Sequence, residues 1–261
     1  MFGLKRTTQE QYSIMDTIQS MLSSVLFSEK FPPPNVGLSD GARVVHELFW
    51  KDSFNRNLRL QDCEIEVRLG KCPSKGRGPF RAFVTEGQFK SMVESLQGFQ
   101  GWEEVKFERS VVSYFPEIDE SIRRILTDSG ETTICSKQKV SNADFIGHDL
   151  PFDFRIAINI ELPVPVENSP YTEERATRVV TRQRNSFSIG NVRYDLTRVT
   201  DMQGAVEHQV EVELINLPTI QLTCDNAQTL AVELQTRLVD LMNAVEPIRS
   251  FNISLLRKRH F

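Results

Sequence analysis

Three stretches of this chain alternate apolar and charged side chains with a period of two, and this constrains the fold more than any other feature, because successive strand residues point to opposite faces. Cys63, Ile65, Val67 and Leu69 fall on one face of the first stretch, and Glu64, Glu66 and Arg68 on the other. Phe154, Ile156, Ile158, Ile160 and Leu162 likewise oppose Arg155, Ala157, Asn159 and Glu161, and Val210, Val212 and Leu214 oppose Gln209, Glu211 and Glu213. Gly190-Asn191 between two such runs predicts a two-residue hairpin pairing Ser188 with Arg193, Ser186 with Asp195, and Arg184 with Thr197. Directly opposed residues share a face. Arg182, Arg184, Ser186, Arg193, Asp195 and Thr197 therefore project one way, and Phe187, Ile189, Val192, Tyr194 and Leu196 the other.

The ordinary meaning of such alternation is a sheet with one face on a helix layer and one in water. Two details point elsewhere. Carboxylates at i and i+2 recur on two strands far apart in sequence, Glu64/Glu66 and Glu211/Glu213, and four acids on one face repel unless something cationic lies between them. The same face carries Arg68, Arg155, Arg182, Arg184 and Arg193. A sheet closed with its charged face inward would set both groups around one lumen. Carboxylate oxygens suit hard cations such as Mg²⁺ or Mn²⁺. Guanidinium forks suit phosphate oxygens. Together they describe a site for a metal-bound polyphosphate.

The remaining features fit a globular β-rich chain. Its 261 residues are 39% hydrophobic and 25% charged, enough to bury a large core, and a net charge of −4 argues against coating a long nucleic acid. Residues 1–261 read as a single domain, α+β, with helices packed outside the strands. Apolar spacing predicts an N-terminal helix over about 8–27 (Ile14, Ile18, Met21, Leu22, Val25), a short helix after Thr85-Glu86 (Phe89, Met92, Val93, Leu96), and a C-terminal helix over about 225–245 (Leu230, Leu234, Leu238, Leu241). No apolar stretch reaches membrane-spanning length, so no membrane role is expected. The polar opening from Met1 to Glu10 lacks a signal core, so secretion is not expected. Cys63, Cys72, Cys135 and Cys224 have neither CxxC nor zinc-ligand spacing, which fits reduced thiols in a nuclear or cytosolic setting.

Several segments resemble one family in the right order over about residues 60–216. Glu64-Ile65-Glu66-Val67-Arg68-Leu69-Gly70, then Phe80-Arg81 and Val84-Thr85-Glu86-x-x-Phe89, are similar to the first motif of the fungal and protozoan type RNA 5′-triphosphatases. Arg182-x-Arg184-x-Ser186-Phe187 with Val192-Arg193-Tyr194-Asp195-Leu196-Thr197-Arg198-Val199 resembles their second motif, and Glu211-Val212-Glu213-Leu214 their third. The Phe154–Glu161 segment resembles a family strand that ends in a site glutamate, and the compact length is nearer to protozoan parasite members than to fungal ones.

The resemblance implies an eight-stranded antiparallel β-barrel, the triphosphate tunnel, that removes the γ-phosphate from the triphosphate end of nascent mRNA as the first step of cap formation. It implies Glu64, Glu66 and Glu213 as ligands of Mg²⁺ or Mn²⁺, and Glu211, Asp195 and Glu161 as catalytic groups around the metal-bound or attacking water. It implies Arg182, Arg184, Arg193 and Arg68 on the substrate, with Arg124 as a further phosphate ligand unless neighbouring Arg123 is the one facing inward. Lys137 or Lys139 would supply a lysine, and parity does not choose between them. A nuclear location, a monomer, nucleoside triphosphates as alternative substrates and a functional link to a separate guanylyltransferase follow from the same resemblance. No KxDG-type lysine motif for nucleotidyl transfer is present here.

This sequence departs from the family in three places. Gln209 stands where the third motif often has a glutamate, Arg182 where the second often has lysine, and Ser110–Tyr114 carries no acid. His148 and His208 have no nucleophile or ligand partner at useful spacing, and the basic run Arg257-Lys258-Arg259-His260 suits RNA contact, nuclear import or a solvated end. Two other readings fit the strands: a tunnel enzyme acting on tripolyphosphate or free nucleotides, and a non-catalytic barrel with its charges in water.

Overall fold

The computed structural model describes residues 63–73, 78–167, 169–216, 224–248 and 252–260. The expected helix over 8–27 lies outside them. In chain order the elements are β1 (Cys63–Gly70), α1 (Glu86–Gly98), β2 (Glu104–Phe115), β3 (Asp119–Thr127), β4 (Thr132–His148), β5 (Asp153–Val164), a 3₁₀ turn (Glu173–Arg175), β6 (Arg178–Ile189), β7 (Val192–Asp201), β8 (Val206–Leu214), α2 (Cys224–Asn243) and β9 (Asn252–His260).

Eight strands close on themselves in the order β3-β2-β6-β7-β8-β1-β5-β4, with β4 returning to β3. Every pairing is antiparallel. Strand β4 is long enough to serve three neighbours: residues 134–145 pair with β5, 132–136 with β3, and 141–148 with β9, which lies outside the ring. A bulge between Lys139 and Ser141 shifts the alternation of β4 by one residue, so Asn142 and Asp144 continue the face carried by Lys137 and Lys139. The hairpin register is the one the sequence predicts, with Ile189 opposite Val192 and Gly190 at φ 57° in the turn.

The closed ring turns its apolar face outward. Ile65, Val67, Leu69, Tyr194, Leu196, Val210 and Val212 pack beneath Phe89, Met92 and Leu96 of α1 and Leu234, Leu238, Leu241 and Met242 of α2. Burying these side chains contributes roughly 1.5–3 kcal/mol each. Helix α1 starts where the sequence predicts, because Thr85 and Gln88 form a reciprocal capping box. Trp102 ties the following loop down by donating from Nε1 to the Leu96 carbonyl at 2.7 Å and packing on Phe187 and Tyr194. Gly70 ends β1 where a Cβ would come within 2.1 Å of the Arg81 carbonyl oxygen, so only glycine admits the Lys71–Arg81 bridge. The period-two face that reads apolar in sequence is thus the outside of the barrel, and the charged face is its lumen. This placement contradicts a barrel with its charges in water.

Candidate active site in the barrel lumen

Adjacent strands bring the charged residues into register. On one side Glu66 of β1 lies opposite Glu213 of β8, and Arg68 opposite Glu211. Glu213 then faces Arg193 of β7, and Glu211 faces Asp195. Asp195 in turn faces Ser186 of β6, with Thr197 facing Arg184. On the other side Glu64 lies opposite Asn159 of β5, while Glu161 lies opposite Lys137 of β4.

The side chains join in one network. Arg68 Nη2 reaches Glu66 Oε2 at 2.9 Å and Glu211 Oε1 at 3.1 Å. Arg193 Nη2 donates to Glu213 Oε2 at 2.6 Å and its Nε to Asp195 Oδ2 at 3.1 Å. Arg184 donates to Thr197 Oγ1 through Nε and reaches Asp195 Oδ2 through Nη1, both at 3.1 Å. Ser186 Oγ donates to the other Asp195 oxygen at 2.6 Å. Lys137 places its ammonium against Glu64, with Glu66 at 3.6 Å and Glu161 at 3.4 Å. Asn159 Nδ2 bridges Glu64 Oε2 at 3.0 Å and Glu66 Oε1 at 2.9 Å.

Of the expected site residues, Glu64, Glu66, Arg68, Lys137, Glu161, Arg184, Arg193, Asp195, Glu211 and Glu213 meet in this network. Lys137 is the buried lysine, whereas Lys139 shares its face but is exposed, opposite Asn159. Arg182 lies two residues from Arg184 on the same face, and among the described residues it has no hydrogen bond or ion pair. Arg124 is placed otherwise than expected. It pairs with Ser113 and Ile134 on the outer face and reaches Glu173 at 3.9 Å. Arg123, opposite Tyr114 and Cys135, is the arginine turned inward, because the β2–β3 register gives odd residues of β3 to the lumen.

Asp195, expected beside the attacking water, is the most enclosed carboxylate of the network. It is fully buried and its oxygens are taken by Ser186, Arg184 and Arg193. Sequence alternation puts Asn159 and Ser186 on the charged face but gives them no role in the site, and the structure brings both into the network. Their signal was their alternation with Glu161 and Arg184. His208 packs on Phe89 at the outer surface and Cys63 lies in the outer core.

The electrostatics show what the network lacks. Burial raises the Glu66 carboxyl above its usual range, more than Arg68 and Lys137 lower it. Burial also pushes Glu213 up, to about 8, with Glu64, Asp195 and Glu211 adding to the rise against Arg193. Burial acts on Glu211 too, but Arg68, Arg184, Lys137 and Arg182 outweigh it and keep it well below the usual carboxylate range. Arg182 is lowered by burial and by Arg184, so positive charge there is under-compensated. The lumen therefore has a pole short of cations, at Glu66 and Glu213, and a pole short of anions, at Arg182.

The acidic pole fits a divalent metal by its donor chemistry. Glu64, Glu66 and Glu213 are neighbouring carboxylates on one inner wall, and hard oxygen donors suit Mg²⁺ or Mn²⁺. Among the described residues no three ligand groups already converge at metal-binding spacing. The carboxylates are instead turned toward Lys137, Asn159, Arg68 and Arg193.

A pH dependence follows. Folded Glu213 keeps its proton to about 8, whereas an unfolded glutamate releases it near 4.5. The folded state binds the proton more tightly across that window, so stability falls as pH rises through it. In EDTA the melting temperature is expected to drop between about pH 5 and about pH 8, and Mn²⁺ to restore more of it at the upper end. A melting temperature that rises with pH in EDTA would contradict the assignment.

A closed antiparallel barrel with inward acids and arginines is the triphosphate-tunnel architecture, and two solved structures share it. S. pombe Pct1 RNA triphosphatase is 19% identical, with 84% of this chain and 100% of that chain covered and a TM-score of 0.60. In complex with the Spt5 CTD, Pct1 is 20% identical, with 83% and 97% covered and a TM-score of 0.56. The RNA triphosphatase domain of the mimivirus mRNA capping enzyme is 18% identical, with 78% and 97% covered and a TM-score of 0.47. No curated protein sequence matches the chain. The family model for the mRNA capping enzyme beta chain matches residues 121–251, half of the chain. The chain belongs to the mRNA capping enzyme beta-chain family.

Proposed function

We propose that the chain is an RNA 5′-triphosphatase that removes the γ-phosphate from nascent mRNA ends, leaving a 5′-diphosphate for a separate guanylyltransferase. The observation that carries this reading is the two-pole lumen: Glu64, Glu66 and Glu213 line one inner wall, and Arg182, with no hydrogen bond or ion pair among the described residues, lines another. Glu64, Glu66 and Glu213 would hold Mg²⁺ or Mn²⁺, which supplies charge neutralisation at the γ-phosphate oxygens. Arg182, Arg184 and Arg193 bind the remaining phosphate oxygens, and bidentate guanidiniums orient the chain for in-line attack. Lys137, held by Glu64 and Glu161, adds a fixed positive charge beside the same oxygens.

Phosphoryl transfer asks the protein mainly for positioning and charge stabilisation. Glu211 is kept ionised by its arginines, so it accepts a hydrogen bond from the attacking water and orients it rather than acting as a strong base. Asp195 acts through Arg184 and Arg193 as a positioning residue.

The test is γ-phosphate release from a short triphosphate-ended RNA, with Mg²⁺ or EDTA, beside tripolyphosphate at equal concentration. Mg²⁺-dependent release favouring the RNA is expected. Release favouring tripolyphosphate would keep the tunnel chemistry and remove the RNA role, and no release from folded protein with either would overturn the reading.

A further inference from the structure

The inner wall beside Arg182 continues into a group of residues that phosphate chemistry does not use. Tyr114, next to the last residue of β2, lies opposite Arg178 on β6 and Arg123 on β3. Its ring centroid is 5.2 Å from the Arg178 guanidinium carbon and 5.8 Å from that of Arg123. The Thr177 amide donates to the Tyr114 carbonyl at 3.1 Å, which fixes the start of β6 against the tyrosine. Val112, Val180 and Val199 form a buried lumenal cluster on which Tyr114 and Ile125 pack. Among the described residues neither Arg123 nor Arg178 has an acidic partner.

The array is graded from the tunnel outward. Arg123 and Tyr114 are half-buried and Arg178 is exposed. Arg178, Val180 and Arg182 follow each other along one face of β6, so Arg178 stands about 13 Å along the wall from Arg182. That is far enough to meet the nucleoside that follows a triphosphate held at Arg182.

We propose that Tyr114, Arg123 and Arg178 form the seat of the leading nucleotide of the RNA, the base stacking on the tyrosine–guanidinium layers and Arg178 meeting the next phosphodiester. This rests on the reading of the chain as an RNA 5′-triphosphatase and says where RNA is told from bare triphosphate. Aromatic rings and guanidinium planes stack bases of any sequence, which suits an enzyme that takes every transcript. A tripolyphosphate ends before it reaches the seat, so the seat gives it nothing.

The experiment compares KM and kcat of Arg178→Ala and Tyr114→Leu for a short triphosphate-ended oligoribonucleotide and for tripolyphosphate. Leucine keeps the packing on Val112, Val180 and Val199, and Arg178 is exposed, so its removal leaves the fold intact. Each variant is expected to raise KM for the RNA about fivefold or more, with KM for tripolyphosphate within about twofold of wild type. In EDTA, fluorescence anisotropy of the labelled triphosphate-ended oligoribonucleotide is expected to show the same loss of affinity. Equal losses on both substrates, or unchanged affinity for the RNA, would overturn the seat alone. Wild-type protein that hydrolyses tripolyphosphate but not the RNA end would overturn both the seat and the RNA reading.

Discussion

Glu66→Gln is expected to lower γ-phosphate release by at least about 10³-fold, some 4 kcal/mol of transition-state stabilisation, while the protein stays folded. Glu66 is 2% exposed, lies opposite Glu213 and shares Asn159 with Glu64, so it is the central member of the acidic wall. Glutamine keeps the shape and the oxygen that accepts from Asn159, but loses the charge a divalent ion needs. Stability should respond in the opposite sense. Burial raises this carboxyl above its ordinary range, which means the folded state works against its ionised form. Arg68 retains Glu211 as a partner at 3.1 Å after the change. The melting temperature of Glu66→Gln in EDTA is therefore expected at or above wild type, the trade that active sites often make between stability and activity. Titration with Mn²⁺ should show weakened binding. Phosphate release within tenfold of wild type from a folded variant would remove Glu66 from the metal site.

The second large effect falls on Asp195, and here stability and activity should fall together. Its carboxylate is fully buried and takes Ser186, Arg184 and Arg193 at once. Asp195→Ala leaves two guanidiniums facing each other across the tunnel wall with one carboxylate fewer. Breaking a buried ion pair from one side costs about 3–5 kcal/mol. The side chains of Arg184 and Arg193 are 23% and 32% exposed, so water recovers part of it. A loss of about 2–3 kcal/mol is expected, seen as a melting temperature lower by about 5–10 °C. Phosphate release should drop by about 10²-fold or more, because Arg184 and Arg193 lose the group that aims them. Asp195→Asn retains one acceptor and should fall between the two. An alanine variant that melts within about 1 °C of wild type would show that the arginines are held by other means.

Much of the tunnel was legible in the chain because strand geometry is a period-two code. The hairpin about Gly190-Asn191 fixes its own register through turn length, so the alignment of Ser186 with Asp195 and of Arg184 with Thr197 follows from residue numbers alone. The pairing of acids with arginines on one face follows in the same way. The apolar spacing of Phe89, Met92, Val93 and Leu96 after Thr85-Glu86 likewise announces α1, which a capping box at Thr85 and Gln88 starts.

Other features depend on contacts between segments that are distant in sequence. Alternation does not say which face of a sheet is inside, and here that is decided by ring closure through β3 and β4 and by α1 and α2 covering the outer face. Arg123 and Arg124 are equivalent in sequence; the β2–β3 ladder, carried forward from the lumenal residues of β6, turns Arg123 inward and leaves Arg124 to Glu173. Lys137 and Lys139 share a face, and only the depth of Lys137 among Glu64, Glu66 and Glu161 separates them. The bulge after Lys139 and the enclosure of Asp195 belong to the same class. Sequence determined the local geometry, because turns, caps and strand parity are set by near neighbours. The tertiary structure decided inside from outside and bound groups from free ones, because burial and ion pairing depend on which strands the closed barrel brings together.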